Sequence, residues 1–236
     1  WVPATEVDAR LGDRWPHDWL LGWRNITNST TGRTVIATVL PPSGVGNQVP
    51  LMFPQRSATD ILCLMANLSA FAYDFPSRQK IGGANLNFYL YEQLPVLPPS
   101  VYGQAAPWAQ DSPLGEWIAL RSLELTYTSS ALIALATDLG LPGPPFMWDP
   151  ERRFRLACEL DAGFFHLYGL QRDNVAYVME TFPIVRRKDE SVHGYYRTKA
   201  LILEIYDAMA KAIETGEPYE TVLDPPAAHD SLRHAP

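Results

Sequence analysis

The hydrophobic pattern changes period partway along the chain. Over the first third, β-branched and aromatic runs at residues 19–24, 34–40 and 49–53 are punctuated by Pro41, Pro42, Gly44, Gly46 and Pro50, the pattern of short strands joined by turns. A helix is predicted next. It opens near the cap candidate Thr59, carries Ile61, Leu62, Met65, Leu68 and Ala72 at helical spacing, and closes before Pro76. A turn then leads to a further strand expected around residues 86–90.

Prolines crowd residues 95–107 and bias the residues before them towards extended backbone, so this stretch reads as a linker or edge strand and marks a boundary. Beyond it the period becomes helical, with helices predicted over 114–125, 130–139, 150–168, 172–181 and 195–214. The last has Leu201, Ile202, Ile205 and Met209 on one face, and Gly216 with Pro218 stops it. The expected fold class is α+β, with a mixed α/β domain over 1–100, a mainly helical region over 101–224 and a weakly structured tail over 225–236.

A chain of 236 residues can bury one sizeable core, or one core with a smaller helical satellite. No apolar run approaches the roughly 18 residues that span a bilayer. The chain opens on Trp1, and no charged-then-apolar leader precedes it, so the expectation is a cytoplasmic piece of a longer protein without a membrane partner. Cys63 and Cys158 have apolar neighbours and read as buried, reduced thiols. Asn25, Asn28 and Asn67 begin Asn-x-Ser/Thr triplets, which are read as ordinary polar residues because no secretory signal is in view.

The net charge of −7 opposes the simplest signature of a nucleic-acid-binding domain. The acidic excess falls in the second half, however, and the first hundred residues are balanced, so local patches would have to meet phosphate. Three such patches stand out. Arg24, Asn25, Asn28 and Arg33 flank or occupy a hairpin-like turn, Asn28 to Gly32, between two apolar strands. Arg78, Gln79 and Lys80 precede Gly82-Gly83, with Asn85 and Asn87 just beyond. Arg186, Arg187 and Lys188 form the third, near Arg197 and Lys199.

Arg pairs bidentately with guanine, and Asn or Gln with adenine, in the major groove, while glycines let backbone amides approach phosphate. Each patch also has a plainer reading as a polar turn or a solvated ion-pair loop. Asp189 and Glu190 favour that reading for the third. Catalytic constellations are missing: the five histidines show no His-Glu-x-x-His spacing, the cysteines no Cys-x-x-Cys, and no Gly-x-Ser-x-Gly elbow occurs.

The run from Trp19 to Pro41, the segment Arg78-Gln79-Lys80-Ile81-Gly82-Gly83-Ala84-Asn85-Leu86-Asn87 and the ending Gln93-Leu94-Pro95-Val96-Leu97-Pro98-Pro99 together resemble the target-recognition region of large adenine-specific DNA methyltransferases. These are of the type IIG restriction-modification and phage-exclusion kind. The resemblance continues through residues 145–149 and 181–190. It implies a reader of double-stranded DNA, joined to an upstream domain of the same parent chain that binds S-adenosylmethionine and methylates adenine N6, with defence-system subunits as further partners.

Catalysis by this segment itself is not expected. The nearest approach to the Asn/Asp-Pro-Pro-aromatic motif is Asp224-Pro225-Pro226-Ala227, and alanine cannot stack on a flipped base. Gly44-Val45-Gly46 and Gly82-Gly83 are explained by turns, so no methyl-donor site is assigned to this segment. The alternatives are a protein-interaction scaffold, or a separate specificity subunit of such a system.

Overall fold

The computed structural model describes residues 2–28 and 30–235. Trp1, Ser29 of the predicted turn and Pro236 lie outside the described residues. The chain is about 53% helical with a small antiparallel sheet, an α+β fold followed by helices.

After a first helix, α1 (Ala4–Leu11), the strands β1 (Leu20–Trp23), β2 (Ala37–Leu40) and β3 (Leu51–Met52) form one sheet in the order β2-β1-β3. Leu20 pairs with Leu40 and Trp23 with Ala37 across one edge of β1, and Leu21 with Met52 across the other. Every residue of β1 is buried, which is why it reads as an unbroken apolar run rather than an alternating one. Gly22 sits where an added Cβ would come within 3.1 Å of Pro50 O, so the close approach of the segment entering β3 leaves little room for a side chain here.

Helix α2 (Ala58–Ser69) starts at Ser57, whose Oγ accepts from Asp60 N at 3.1 Å, two residues before the predicted cap. It is followed at once by α3 (Phe71–Lys80), which runs through Pro76 instead of stopping before it. Proline removes one backbone bond, but Ser77 Oγ donates to Tyr73 O at 2.7 Å and Tyr73, Asp74, Ser77 and Arg78 are all buried, so tertiary contacts override the local penalty. The strand expected over 86–90 is not formed. Asn87 instead stands just before a single helical turn, α4 (Phe88–Tyr91), without a side-chain cap bond, and the extended pairing is confined to a bridge between Ile26 and Asn85.

The proline-rich stretch folds as α5 (Pro99–Tyr102) and the short strand β4 (Ala105–Ala106), which pairs with β5 (Ala109–Pro113). Helices α6 (Leu114–Thr126), α7 (Ile133–Asp138), α8 (Pro150–Leu167), α9 (Arg172–Glu180), α10 (Pro183–His193) and α11 (Arg197–Thr215) follow. Helix α10 occupies the region read as an ion-pair loop. Pro183 at its first position and the left-handed Gly194 at its end are the start and stop signals that define it.

Packing gathers into two apolar clusters. The front one sets the tryptophans of the β1 region against Ile61, Leu62, Met65 and Leu68 of α2, and also takes in Leu123, Tyr127 and Phe146 from beyond residue 100. The rear one joins Cys63 and Ala66 of α2 to α6, α8, α9 and α11. Helix α2 thus has one face in each cluster. Gly163 of α8 admits Trp108, whose Cη2 would lie 3.0 Å from an added Cβ. Asn67, one of the Asn-x-Ser/Thr residues, is buried between the clusters, donating to Tyr168 Oη at 2.8 Å and accepting from Leu97 N at 3.0 Å.

The segment expected as a loose tail is tied down. Arg233 is buried over the Phe146 ring and donates to Pro144 O at 2.8 Å, while Met147 N donates to Leu232 O and His234 N to Pro145 O. Upstream of it, Glu159 Oε1 accepts from Tyr219 Oη, Thr221 Oγ1 and Val222 N while Oε2 pairs with Arg121 at 2.7 Å. The tail itself meets α6 and α8, where Ala228 N donates to Glu124 Oε2 at 2.8 Å and Pro226 O accepts from Arg152 Nη2 at 3.0 Å, contacts that the composition of a proline-rich end does not anticipate.

Candidate nucleic-acid interface

The first two polar patches are brought together by backbone pairing. Leaving β1, Arg24 N donates to Ile36 O at 3.0 Å and Asn25 N to Gln48 O at 2.9 Å. Leu86 N then donates to Asn25 O at 2.8 Å and Thr27 N to Ala84 O at 3.0 Å, so residues 25–27 and 84–86 run as a two-stranded strip. Arg24, Asn25, Asn28, Asn85 and Asn87 belong to this strip or its immediate flanks, and Gln79 and Lys80 close the helix leading into it. The third patch is also near: a Cβ at Gly32 would lie 3.9 Å from Val185, one residue before Arg186.

The side chains divide sharply in what they do. Arg33 is half-buried and forms a two-pronged pair with Asp161 of α8, at 3.2 Å from Nη1 and 2.6 Å from Nη2, while Nη1 also donates to Ser69 O. Its guanidinium lies 3.2 Å from the centroid of the Phe71 ring. Asp161 is completed by Phe71 N, which donates to Oδ1 at 2.7 Å.

Arg78 is buried as well. It reaches Thr31 O at 2.5 Å and Gly32 O at 3.1 Å, approaches Asp74 at 3.8 Å and lies over the Phe182 ring. Asp74 in turn accepts from Thr34 N at 2.8 Å and Val35 N at 3.3 Å. Burial pushes the Asp74 carboxyl up, opposed by those two N–H groups and by Arg33 and Arg78. Burial likewise pulls the Arg78 guanidinium down, with Asp74 opposing. Arg33 and Arg78 are therefore committed to clamping the turn onto α3 and α8.

Within the turn, Asn28 Oδ1 accepts from Thr30 N at 2.9 Å and Thr30 Oγ1 at 2.6 Å, the self-closing geometry that makes asparagine a turn former. Lys80 donates to Gln93 Oε1 at 3.2 Å, and Asn25 Nδ2 makes only a 3.5 Å contact with Asn47 O. Among the described residues, the exposed side chains of Arg24, Gln79, Asn85 and Asn87 make no hydrogen bond or ion pair. Arg186 is held by Glu180 at 3.0 Å and Glu190 at 2.8 Å, whereas Arg187 and Lys188, exposed on the same helix, have no carboxylate within ion-pair distance among the described residues.

The residues that sequence reasoning passed over are the acids. Asp161 stands in an apolar stretch of α8 between Leu160 and Phe165, and a carboxylate at such a position has to be paired; that was the available signal. Cys63 and Cys158 are free and buried, and burial pushes both thiols well above their ordinary range. Among the described residues, no group of three or more His, Cys, Asp or Glu could hold a metal ion, and no helix is long and apolar enough to cross a membrane. No family model, curated protein or solved structure matches this chain.

Proposed function

We propose that this chain is the DNA target-recognition region of a larger adenine-N6 methyltransferase of a restriction-modification or phage-defence system. The upstream domain of the parent chain would supply S-adenosylmethionine binding and catalysis. The observation that carries this reading is the paired strip 25–27 and 84–86. It gathers Arg24, Asn25, Asn85 and Asn87, with Gln79 and Lys80 at its entry, from segments some sixty positions apart in sequence. These are the side chains that read guanine and adenine edges. Arg187 and Lys188 would add contacts to phosphate, which set register rather than sequence.

Arg33 and Arg78 serve this function as scaffolding, holding the turn rigid so that its neighbours meet DNA already ordered. Binding to a duplex library at low salt, followed by selection and sequencing, tests the proposal. The expected outcome is salt-dependent enrichment of one sequence class, reduced in Arg24→Ala. Enrichment of none, or equal enrichment in both proteins, would overturn it.

A further inference from the structure

On the flank of this strip, two consecutive aromatic residues are more than half exposed, Phe88 at 54% and Tyr89 at 60%. What sets this pair apart from other exposed apolar residues is its place on one helical turn beside the polar strip. The turn is fixed from beneath. Phe88 meets Trp23 edge-on at 4.8 Å, Trp23 Nε1 donates to Leu86 O at 2.9 Å, and Tyr91 of the same turn is buried against Trp23.

Polar groups border the turn. Gln93 Nε2 donates to Tyr89 O at 2.8 Å and Oε1 accepts from Lys80, which places one cation beside the turn, and Asn87 immediately precedes it. Glu92 follows and offsets one positive charge, so the rings rather than net charge have to supply affinity. Two exposed rings on an anchored turn, flanked by amides and a single cation, match an unstacked nucleobase, whose face stacks on one ring while its edges and phosphate take the polar groups.

We propose that Phe88 and Tyr89 form a stacking platform for a base that has left the duplex stack at or beside the target site. This rests on the DNA-recognition reading above and names the state of DNA that the same surface prefers. The probes are two duplexes of one sequence carrying central 2-aminopurine, one fully paired and one with the analogue opposite an abasic position, titrated with the 236-residue chain.

The unpaired probe is expected to bind roughly tenfold more tightly, with its fluorescence quenched on binding. In the double variant Phe88→Ala/Tyr89→Ala, both the preference and the quenching are lost and affinity for the paired probe stays. Phe88→Leu/Tyr89→Leu, which keeps apolar cover over Trp23 without an aromatic face, gives the same loss. Equal affinity for the two probes, or a preference that survives in the leucine variant, would overturn the platform while leaving the DNA reading intact. Failure of the unmodified chain to bind either probe at low salt would overturn both.

Discussion

Arg24 and Arg33 stand at the two ends of one loop and meet opposite fates. Arg33 turns inward, pairs with Asp161, stacks on Phe71 and joins Arg78 and Asp74 in a clamp. Arg24 points to solvent, and its side chain has no partner among the described residues. The difference comes not from the loop's own sequence but from what the rest of the chain carries to each end: a buried carboxylate from α8 at one, and none at the other. A cation beside a polar turn therefore reveals its role only when the acids that could meet it have been placed.

The contrast can be broken most severely at its internal end. Asp161→Ala leaves Arg33 half-buried without its partner and Phe71 N without an acceptor, and should destabilise the fold by about 3–5 kcal/mol in urea unfolding. A loss under ~1 kcal/mol would mean that the clamp does not hold the turn. Arg33→Lys keeps the charge but loses the two-pronged geometry and the flat stack, with an expected cost of about 1.5–3 kcal/mol in the same measurement.

At the exposed end the sign of the effect moves from folding to recognition. Arg24→Ala should leave stability within about 0.5 kcal/mol. Discrimination between DNA sequences should fall by about 1–3 kcal/mol if one base contact is lost, measured by competition binding. Retained discrimination would show that Arg24 touches no base.

Acid probes the buried side through a third residue. His166 stacks on Tyr206 at 3.9 Å, and burial pulls its pKa below the ordinary value, opposed by its bond to Tyr206 O and by Asp207. Between the folded value and an unfolded value of about 6.5, the unfolded chain binds more protons, so this group's contribution to stability declines as pH falls below about 6.5. His166→Gln should flatten the stability profile in that window. Glu151 and Glu180, held below the usual carboxylate range chiefly by hydrogen bonds from Arg197 and Lys199, lose their contribution only below about pH 4.3, which separates the two effects. The smallest effect is expected on α10: Arg187→Ala or Lys188→Ala should each lower the salt dependence of DNA binding by about one phosphate contact without altering sequence preference.

How much of this was legible beforehand depended on range. The rear helices α6, α8, α9 and α11 are set by nearby signals, such as Asp149 capping α8 from just before Pro150 and Gly216 ending α11, and their predicted limits fall within a residue or two of the observed ones. The front strands were found for the same reason, although shorter than expected. What stayed hidden depended on distant partners. Pro76 remains helical because α3 is buried, and residues 225–235 are tied down because Glu124 and Phe146 receive them. The adjacency of residues 25–27 and 84–86 is likewise set by long-range pairing and not by either segment, although both stand out by their composition.

The Arg33–Asp161 pair sets a limit on transplantation. Grafting residues 19–41 alone into another scaffold would sever the turn from a carboxylate 128 positions away. Moving the first hundred residues would still leave Asp161 behind and strip α2 of one of its two packed faces. The smallest portable unit that keeps this turn in shape extends through α8, so the loop can be moved to another scaffold only together with that helix.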